Sequence, residues 1–237
     1  MFSTPANAGL PRRDASDESS ARARALARSL QLPRARSVER LERFVAAARD
    51  LANAEGSAAF TVSQVSRHAG LSLKSFYRCF AGKDDLLVAL LEEDSRLGAS
   101  LLAESVDAQS EPALRLRAYV RGVFELLTHP GALGYARMLV QEHRRLAEER
   151  PETLRAALAP MVDLLAHEID RAKDRGVATS TDPARDAQTI FVLVLEGIHE
   201  LALGHGEPLE QADYLWRFCA AALRVDTEPN DEGAERR

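Results

Sequence analysis

Residues 61–83, TVSQVSRHAGLSLKSFYRCFAGK, carry the apolar spacing, caps and turn glycine of two short helices crossing at an angle. Thr61 offers its hydroxyl to free backbone N–H groups at a helix start, and Gln64, three positions on, can reach back to complete a capping box. Val62, Val65 and Ala69 then recur as one narrow buried stripe, leaving Gln64, Arg67 and His68 on the outer face. Gly70 falls where the chain must turn sharply, which glycine does without steric cost. Leu71 plugs the corner, and Ser72 caps a second helix whose Phe76 and Phe80, four apart, bury against the first. That assignment turns Leu73, Lys74, Ser75, Tyr77 and Arg78 outward. Two cations, two hydroxyls and an apolar tip suit phosphate oxygens and base edges in a major groove. The pattern is a helix-turn-helix, which makes double-stranded DNA the first partner to consider.

Upstream, residues 37–55 place Leu41, Phe44, Val45, Ala48, Leu51 and Ala52 on a single helical stripe, so a third helix supplies the core that the short pair lacks. Any three amphipathic helices with a glycine turn share this spacing, and charge has to discriminate. Residues 1–36 hold 7 Lys and Arg against 3 Asp and Glu, residues 37–83 hold 7 against 4, and residues 84–237 hold 17 against 29. The net charge of −5 therefore hides a basic first third joined to an acidic remainder, and only one end of the chain suits a polyanion.

The order helix, AEGSAAFTVSQVSRHAGLSLKSFYRCFAGKDDLL, long helix resembles the TetR family of bacterial transcriptional regulators. Its most diagnostic pieces are Gly56, Thr61, Val62, Val65, the run from Ala69 to Ser72, Tyr77, Phe80 and the run from Lys83 to Leu86. The match covers residues 37–90 at motif level; beyond it the chain agrees only in length and helix order. The resemblance implies that Thr61, Ser72, Tyr77 and Lys83 bind phosphates, that Leu73, Lys74, Ser75 and Arg78 lie along the groove edge, and that Phe76 and Phe80 are core. Two positions depart from the family pattern. Lys74 stands where many relatives carry a small residue that allows close backbone approach, which bears on base readout there, although a lysine can reach a guanine acceptor or a phosphate. Cys79 stands where an aromatic or histidine is common and reads as packing.

The remainder is rich in leucine and alanine and poor in aromatics, and 46% of the chain is hydrophobic. Helix formers run from Lys83 to Arg224 without the two-residue alternation of a sheet, so the chain is expected to be all-α. Breaks at Ser110 to Pro112, Thr128 to Gly131, Glu149 to Pro151, Gly176 to Pro183 and Gly204 to Pro208 divide this part into about six helices, for about nine in total. Pro160 falls inside one of them, which is either kinked there or two segments. The expected organisation is a basic, disordered arm over 1–36, a three-helix DNA-binding domain over 37–83, a helical effector-binding and dimerisation domain over 84–225, and a disordered acidic tail over 226–237.

The run from Ile190 to Leu195, IFVLVL, is apolar on every side, and the last helix carries a stripe of Leu209, Ala212, Trp216, Cys219 and Leu223 widened by Leu215 and Ala222. A twofold contact through Phe191, Leu195, Ile198, Leu215, Trp216, Cys219 and Leu223 would cover the surplus; the alternative is a monomer whose last helices sit deep in its own core. A homodimer suits a reader of two half-sites about 34 to 36 Å apart, and the resemblance implies the same. It also implies a small-molecule pocket between Asp84 and Gly176, whose ligand shifts the two DNA heads. Tyr119, Phe124, Tyr135, Met138, Gln141, His143, Met161, Leu165 and Phe191 are candidates to line it, and core packing explains each nearly as well.

Cys79 and Cys219 lie far apart within helical patterns, so no disulfide framework is expected and a reducing cytoplasm fits. His167-Glu168 and His199-Glu200 lack the second histidine of a His-Glu-x-x-His motif, so no metal is expected; a site assembled from Glu142, His143, His167 and His199 is the alternative to solvated helix faces. Phosphate-cradling and nucleophile-elbow motifs are missing, which argues against an enzyme or a cofactor, and no apolar run approaches a signal peptide or bilayer span. Arg22, Arg24, Arg28, Arg34 and Arg36 read either as an arm for the adjacent minor groove or as a tail with a short helix around Ala21 to Leu30. The chain is thus expected to be a dimeric repressor released from its operator by an unidentified small-molecule effector. An activator would have the same sequence. The rivals are a DNA-organising or protein-partnered protein of the same fold without an effector, and a helical enzyme with a chance reader motif.

Overall fold

Thr61 stands in extended backbone, its Oγ1 accepting the Gln64 N–H at 3.2 Å, while Gln64 Oε1 accepts the Thr61 N–H at 2.7 Å. This capping box starts α2 (Val62–His68). The chain leaves that helix through Gly70 at φ +64°, a left-handed conformation that costs a side chain strain, and Ser72 caps α3 (Leu73–Cys79) by accepting the Ser75 N–H at 3.2 Å. Both caps and the turn fall where the sequence puts them.

In the computed structural model the described residues are 15–129 and 132–226, with side chains from Ala35 onward. Among them the chain forms nine α-helices, a single 3-10 turn at Leu126–Thr128 and no strand. α1 (Ala15–Glu55) passes from one compact unit, ending at Glu42, into a second that begins at Arg43. Sequence reading starts this helix at Ser37 and gives 1–36 to a disordered arm; α1 instead begins at Ala15, because residues 21–32 are mostly alanine, arginine and leucine, the strongest helix formers. Residues 1–14 and the tail from Thr227 lie outside the described residues. Leu41, assigned to the core stripe, is 39% exposed.

Within the second unit follow α4 (Lys83–Asp107), α5 (Pro112–Glu125), α6 (Ala132–Glu149), α7 (Pro151–Asp174), α8 (Pro183–Ala202) and α9 (Pro208–Leu223). Every break predicted from proline and glycine is a helix boundary, and four of these helices open with proline in the first turn, where its missing N–H is no loss. α7 runs unbroken through Pro160.

Two apolar clusters organise the unit. One joins Phe44, Val45 and Ala48 of α1 with Val65, Phe76, Phe80 and the first turns of α4, and extends to Met138, Leu146 and Leu154 of α6 and α7. Phe44 meets Phe76 edge-on at 5.4 Å and Phe80 at 6.1 Å, contacts worth about 0.5–1.5 kcal/mol each beyond area burial. The other cluster gathers the ends of α4 and α7 with α5, α8 and α9. α4 is common to both: Leu86, Leu87 and Leu90 sit in the first, Leu102 and Val106 in the second. Arg145 pairs with Asp84 at 2.7 Å and Arg150 with Asp85, tying α6 and the start of α7 to the α4 turn that follows α3.

Candidate functional site

The burial pattern of α3 separates its two faces. Phe76 is fully buried, whereas Leu73 is 46% and Tyr77 61% exposed, and Lys74 and Arg78 are exposed beside them. Ser75 is half-buried, its hydroxyl 3.1 Å from that of Ser72. Hydrogen bonding narrows what each polar group can offer an anion. The Thr61 hydroxyl points at Gln64 Oε1, 2.9 Å away, so its single proton is engaged in the capping box. Lys83, expected on a phosphate, donates its ammonium to the Ala58 carbonyl and lies 5.1 Å from the centre of the buried Phe60 ring. It pins the loop before α2 to the start of α4. Lys74 and Arg78 therefore carry the positive charge of the α3 face.

Behind this face, α1 is held to α2 by Arg43, whose Nη2 donates to the Ala69 carbonyl at 2.6 Å. One turn and a half further along, Arg49 donates to Asp94 Oδ1 of α4 at 2.8 Å and 3.2 Å, and Tyr135 of α6 donates its hydroxyl to Asp94 Oδ2 at 2.5 Å. Burial pushes the Asp94 carboxyl up, opposed by the Tyr135 hydroxyl and Arg49. Burial also raises the Tyr135 phenol, keeping it a donor.

Asp94 and Tyr135 form part of the wall of a half-open cavity of about 620 Å³ lined by α4, α5, α6, α7 and α8. Its surface is mainly apolar, with Leu101, Val123, Leu139 and Ile198 among the walls, and the exposed Asn53 of α1 lines it as well, with Asp94 and Ser95. Of the nine residues proposed from sequence, Tyr135, His143, Met161 and Phe191 line this cavity. Tyr119, Phe124 and Leu165 are sealed in the distal core, where the Tyr119 hydroxyl donates to the Met161 carbonyl at 2.9 Å. Met138 belongs to the core beneath α3, and Gln141 faces outward. Burial holds the His143 imidazole below its usual range, leaving it neutral.

The stripe expected to meet a second copy is placed differently. Leu215, Trp216, Cys219 and Leu223 are buried within the protomer because α5 packs along α9, and Phe191 and Ile198 are likewise buried, with Leu195 partly so. What α8, its capping residue and α9 leave exposed is Val192 at 51%, Leu203 at 44%, Leu209 at 38%, Tyr214 at 59% and Phe218 at 54%.

The profile for bacterial regulatory proteins of the tetR family matches residues 44–90, and that for the C-terminal domain of AefR-like transcriptional repressors matches residues 114–225. The chain belongs to the TetR family. Among solved structures, this TetR-family chain is similar to the transcriptional regulator FadR from Bacillus subtilis in complex with stearoyl-CoA, at 18% identity and TM-score 0.64, covering 75% of this chain and 96% of that one. It is similar to the fatty acid degradation regulator FadR from Bacillus halodurans, at 18% identity and TM-score 0.65 over 79% and 97% of the two chains. RolR in complex with resorcinol aligns at 18% identity and TM-score 0.60 over 82% and 96%. No curated protein matches the chain. Among the described residues of this TetR-family protein, no helix is long and apolar enough to cross a membrane.

Sequence reasoning missed the Arg49–Asp94–Tyr135 cluster and a second ionic group in the distal core. There Arg115, 5% exposed, holds Glu168, 2% exposed, through two bonds of 2.6 Å and 2.8 Å, and reaches Asp107 at 2.8 Å. The hydrogen bonds it donates to Glu168 lead the effects that raise the Arg115 guanidinium further still. Charged residues at buried positions of a helical stripe are the one signal that could have flagged both.

Proposed function

We propose that the chain is a cytoplasmic, sequence-specific DNA-binding transcription regulator, a dimeric repressor that leaves its operator when a small apolar effector enters the cavity. The observation that carries this reading is a division within one compact unit: an exposed face of Leu73, Lys74, Tyr77 and Arg78, and an apolar cavity reached by the same α4 that packs beneath that face. Lys74 and Arg78 serve as the cations of a groove-facing helix, with the Ser72 and Ser75 hydroxyls and Tyr77 at its rim. The exposed Val192, Leu203, Tyr214 and Phe218 supply the apolar surface for a second copy, in place of the buried stripe.

An effector acts here only through its preference for the state with misplaced heads. A coupling of about 1 to 3 kcal/mol changes operator affinity about 5- to 150-fold, so modest cavity movements suffice. The stearoyl-CoA and resorcinol bound by neighbours of this fold support an effector with a substantial apolar portion. The presence of the cavity favours this reading over a DNA-organising protein without an effector.

The test is selection of duplexes from a randomised pool by the purified chain. The expected product is an inverted repeat whose half-sites lie about one helical turn apart, and enrichment lost in the Tyr77→Ala, Arg78→Ala double variant. Selection that yields no sequence, or that survives the double variant, removes α3 as the reader.

A further inference from the structure

Resting on the reading of the chain as an effector-responsive regulator, we propose that the cavity takes a largely apolar molecule carrying a hydrogen-bond donor and no negative charge, and that this donor competes with Arg49 for Asp94, loosening the joint between α1 and α4.

Among the described residues the polar lining of the cavity is Asp94 and Ser95 of α4, Tyr135 of α6, Asn53 of α1 and His143, with Tyr135 and Asp94 joined by a hydrogen bond, and the rest of the wall is apolar. Ser95 is 4% exposed, and its Oγ is buried with no hydrogen-bond partner among the described residues. A buried hydroxyl left unpaired is unfavourable, so a turn of this side chain toward an occupant of the cavity gains a hydrogen bond. Asp94 is the acceptor beside it. A carboxylate has about four lone-pair sites, and here one oxygen takes two N–H bonds from Arg49 and the other takes the Tyr135 hydroxyl. Three of the four are taken, so an arriving donor binds the remaining site on Oδ2 and draws carboxylate charge away from the oxygen that holds Arg49.

Charge sets the sign of the occupant. Among the described residues no lysine or arginine lines the cavity, and burial lowers His143 so that it is neutral. Arg49 is already engaged by Asp94, with Glu93 3.6 Å away. A carboxylate or phosphate here would face Asp94 without a cation of its own, and the two negative charges would repel.

Position makes the competition consequential. Arg49 and Asn53 lie one turn apart on the same face of α1, the helix whose Phe44 packs edge-on against Phe76 of α3. Asp94 and Ser95 lie on α4, which begins directly after α3. Weakening the Arg49–Asp94 pair therefore acts on the support of the DNA-facing helix without a long relay.

The experiment compares decanol, decyl methyl ether and decanoate, which share an unbranched chain and differ at the head, by calorimetric titration of the full chain. Decanol is expected to bind about tenfold more tightly than the ether and more than about tenfold more tightly than decanoate. Ser95→Ala removes only the unpaired hydroxyl, so it should fold with an unchanged or higher Tm yet lose about fivefold in decanol affinity. Asp94→Asn should abolish the discrimination against decanoate and, without any ligand, speed amide exchange over residues 43–55 as decanol does in the parent. Decanoate binding as well as decanol, equal binding of alcohol and ether, no binding by any of the three, or Ser95→Ala binding decanol like the parent each overturns the proposal. Failure of the regulator reading shows separately: the parent then selects no duplex, whatever the order of the three compounds in the cavity.

Discussion

Replacing Lys74 and Arg78 together by alanine removes the cations that α3 leaves in solvent, while Lys83→Met removes one engaged inside the protein. Each phosphate neutralised contributes about 0.9 to the slope of log affinity against log salt. Two cations on each of two heads thus set an upper limit of about 3.6 on the slope lost by the double variant. Between about 50 and about 200 mM salt, that slope amounts to roughly a hundredfold difference in how far affinity falls. Lys83→Met should leave the slope unchanged and instead cost about 2 kcal/mol of stability, through loss of the Ala58 hydrogen bond and the contact with Phe60. Fluorescence anisotropy of a labelled selected duplex across that salt range measures the slopes, and urea unfolding measures the stabilities. The assignment of α3 as the phosphate-facing element is refuted if the double variant keeps the parental slope. Equal slope loss in Lys83→Met shows that the ammonium leaves Ala58 for DNA.

Glu168→Ala should destabilise the chain by about 3–5 kcal/mol, because Arg115 would keep only a mostly exposed Asp107 and a backbone carbonyl; pairing it with Arg115→Met should recover most of the loss, read by urea unfolding. Phe44→Ala opens the edge-on cluster beneath α3 and should cost about 3–5 kcal/mol, with Tm as the readout. The acid limb of stability should carry the signature of Asp85. Hydrogen bonds from Arg150 and then the Ala81 N–H hold its carboxyl below the usual range, so the folded chain binds fewer protons there than the unfolded one. Its contribution is complete above the unfolded value of about 3.9 and disappears as pH falls through the lower folded value. Asp85→Asn should flatten the stability profile in that window, and an unchanged profile would remove Asp85 from the acid response.

The helix-turn-helix was legible because its signals are local. Thr61, Gln64, Gly70 and Ser72 specify caps and a turn through bonds no more than a few residues long, and the spacing of Phe76 against Tyr77 and Arg78 fixes which face of α3 is buried. Proline and glycine likewise marked the distal helix boundaries. Where α1 starts was misjudged because helix propensity over residues 21–32 carries no marker of its own that separates arm from helix.

Periodicity tells which side of a helix is apolar, and tertiary packing decides what that side meets. Trp216 and Cys219 read as an interface, but α5 lies along α9 and buries them in the protomer; Tyr119 and Tyr135 read alike, but one is sealed and the other lines a cavity. Lys83 changed from a free cation to a pin between a loop and α4, through a carbonyl that is distant along the chain. The joint of Arg49, Asp94 and Tyr135 joins three helices whose meeting depends on how α4 and α6 pack beside α1, so no local pattern announces it. Short-range hydrogen bonding and steric rules wrote the reader into the amino-acid order; cavity, joint and exposed faces arose only when long-range burial chose among equally apolar stripes.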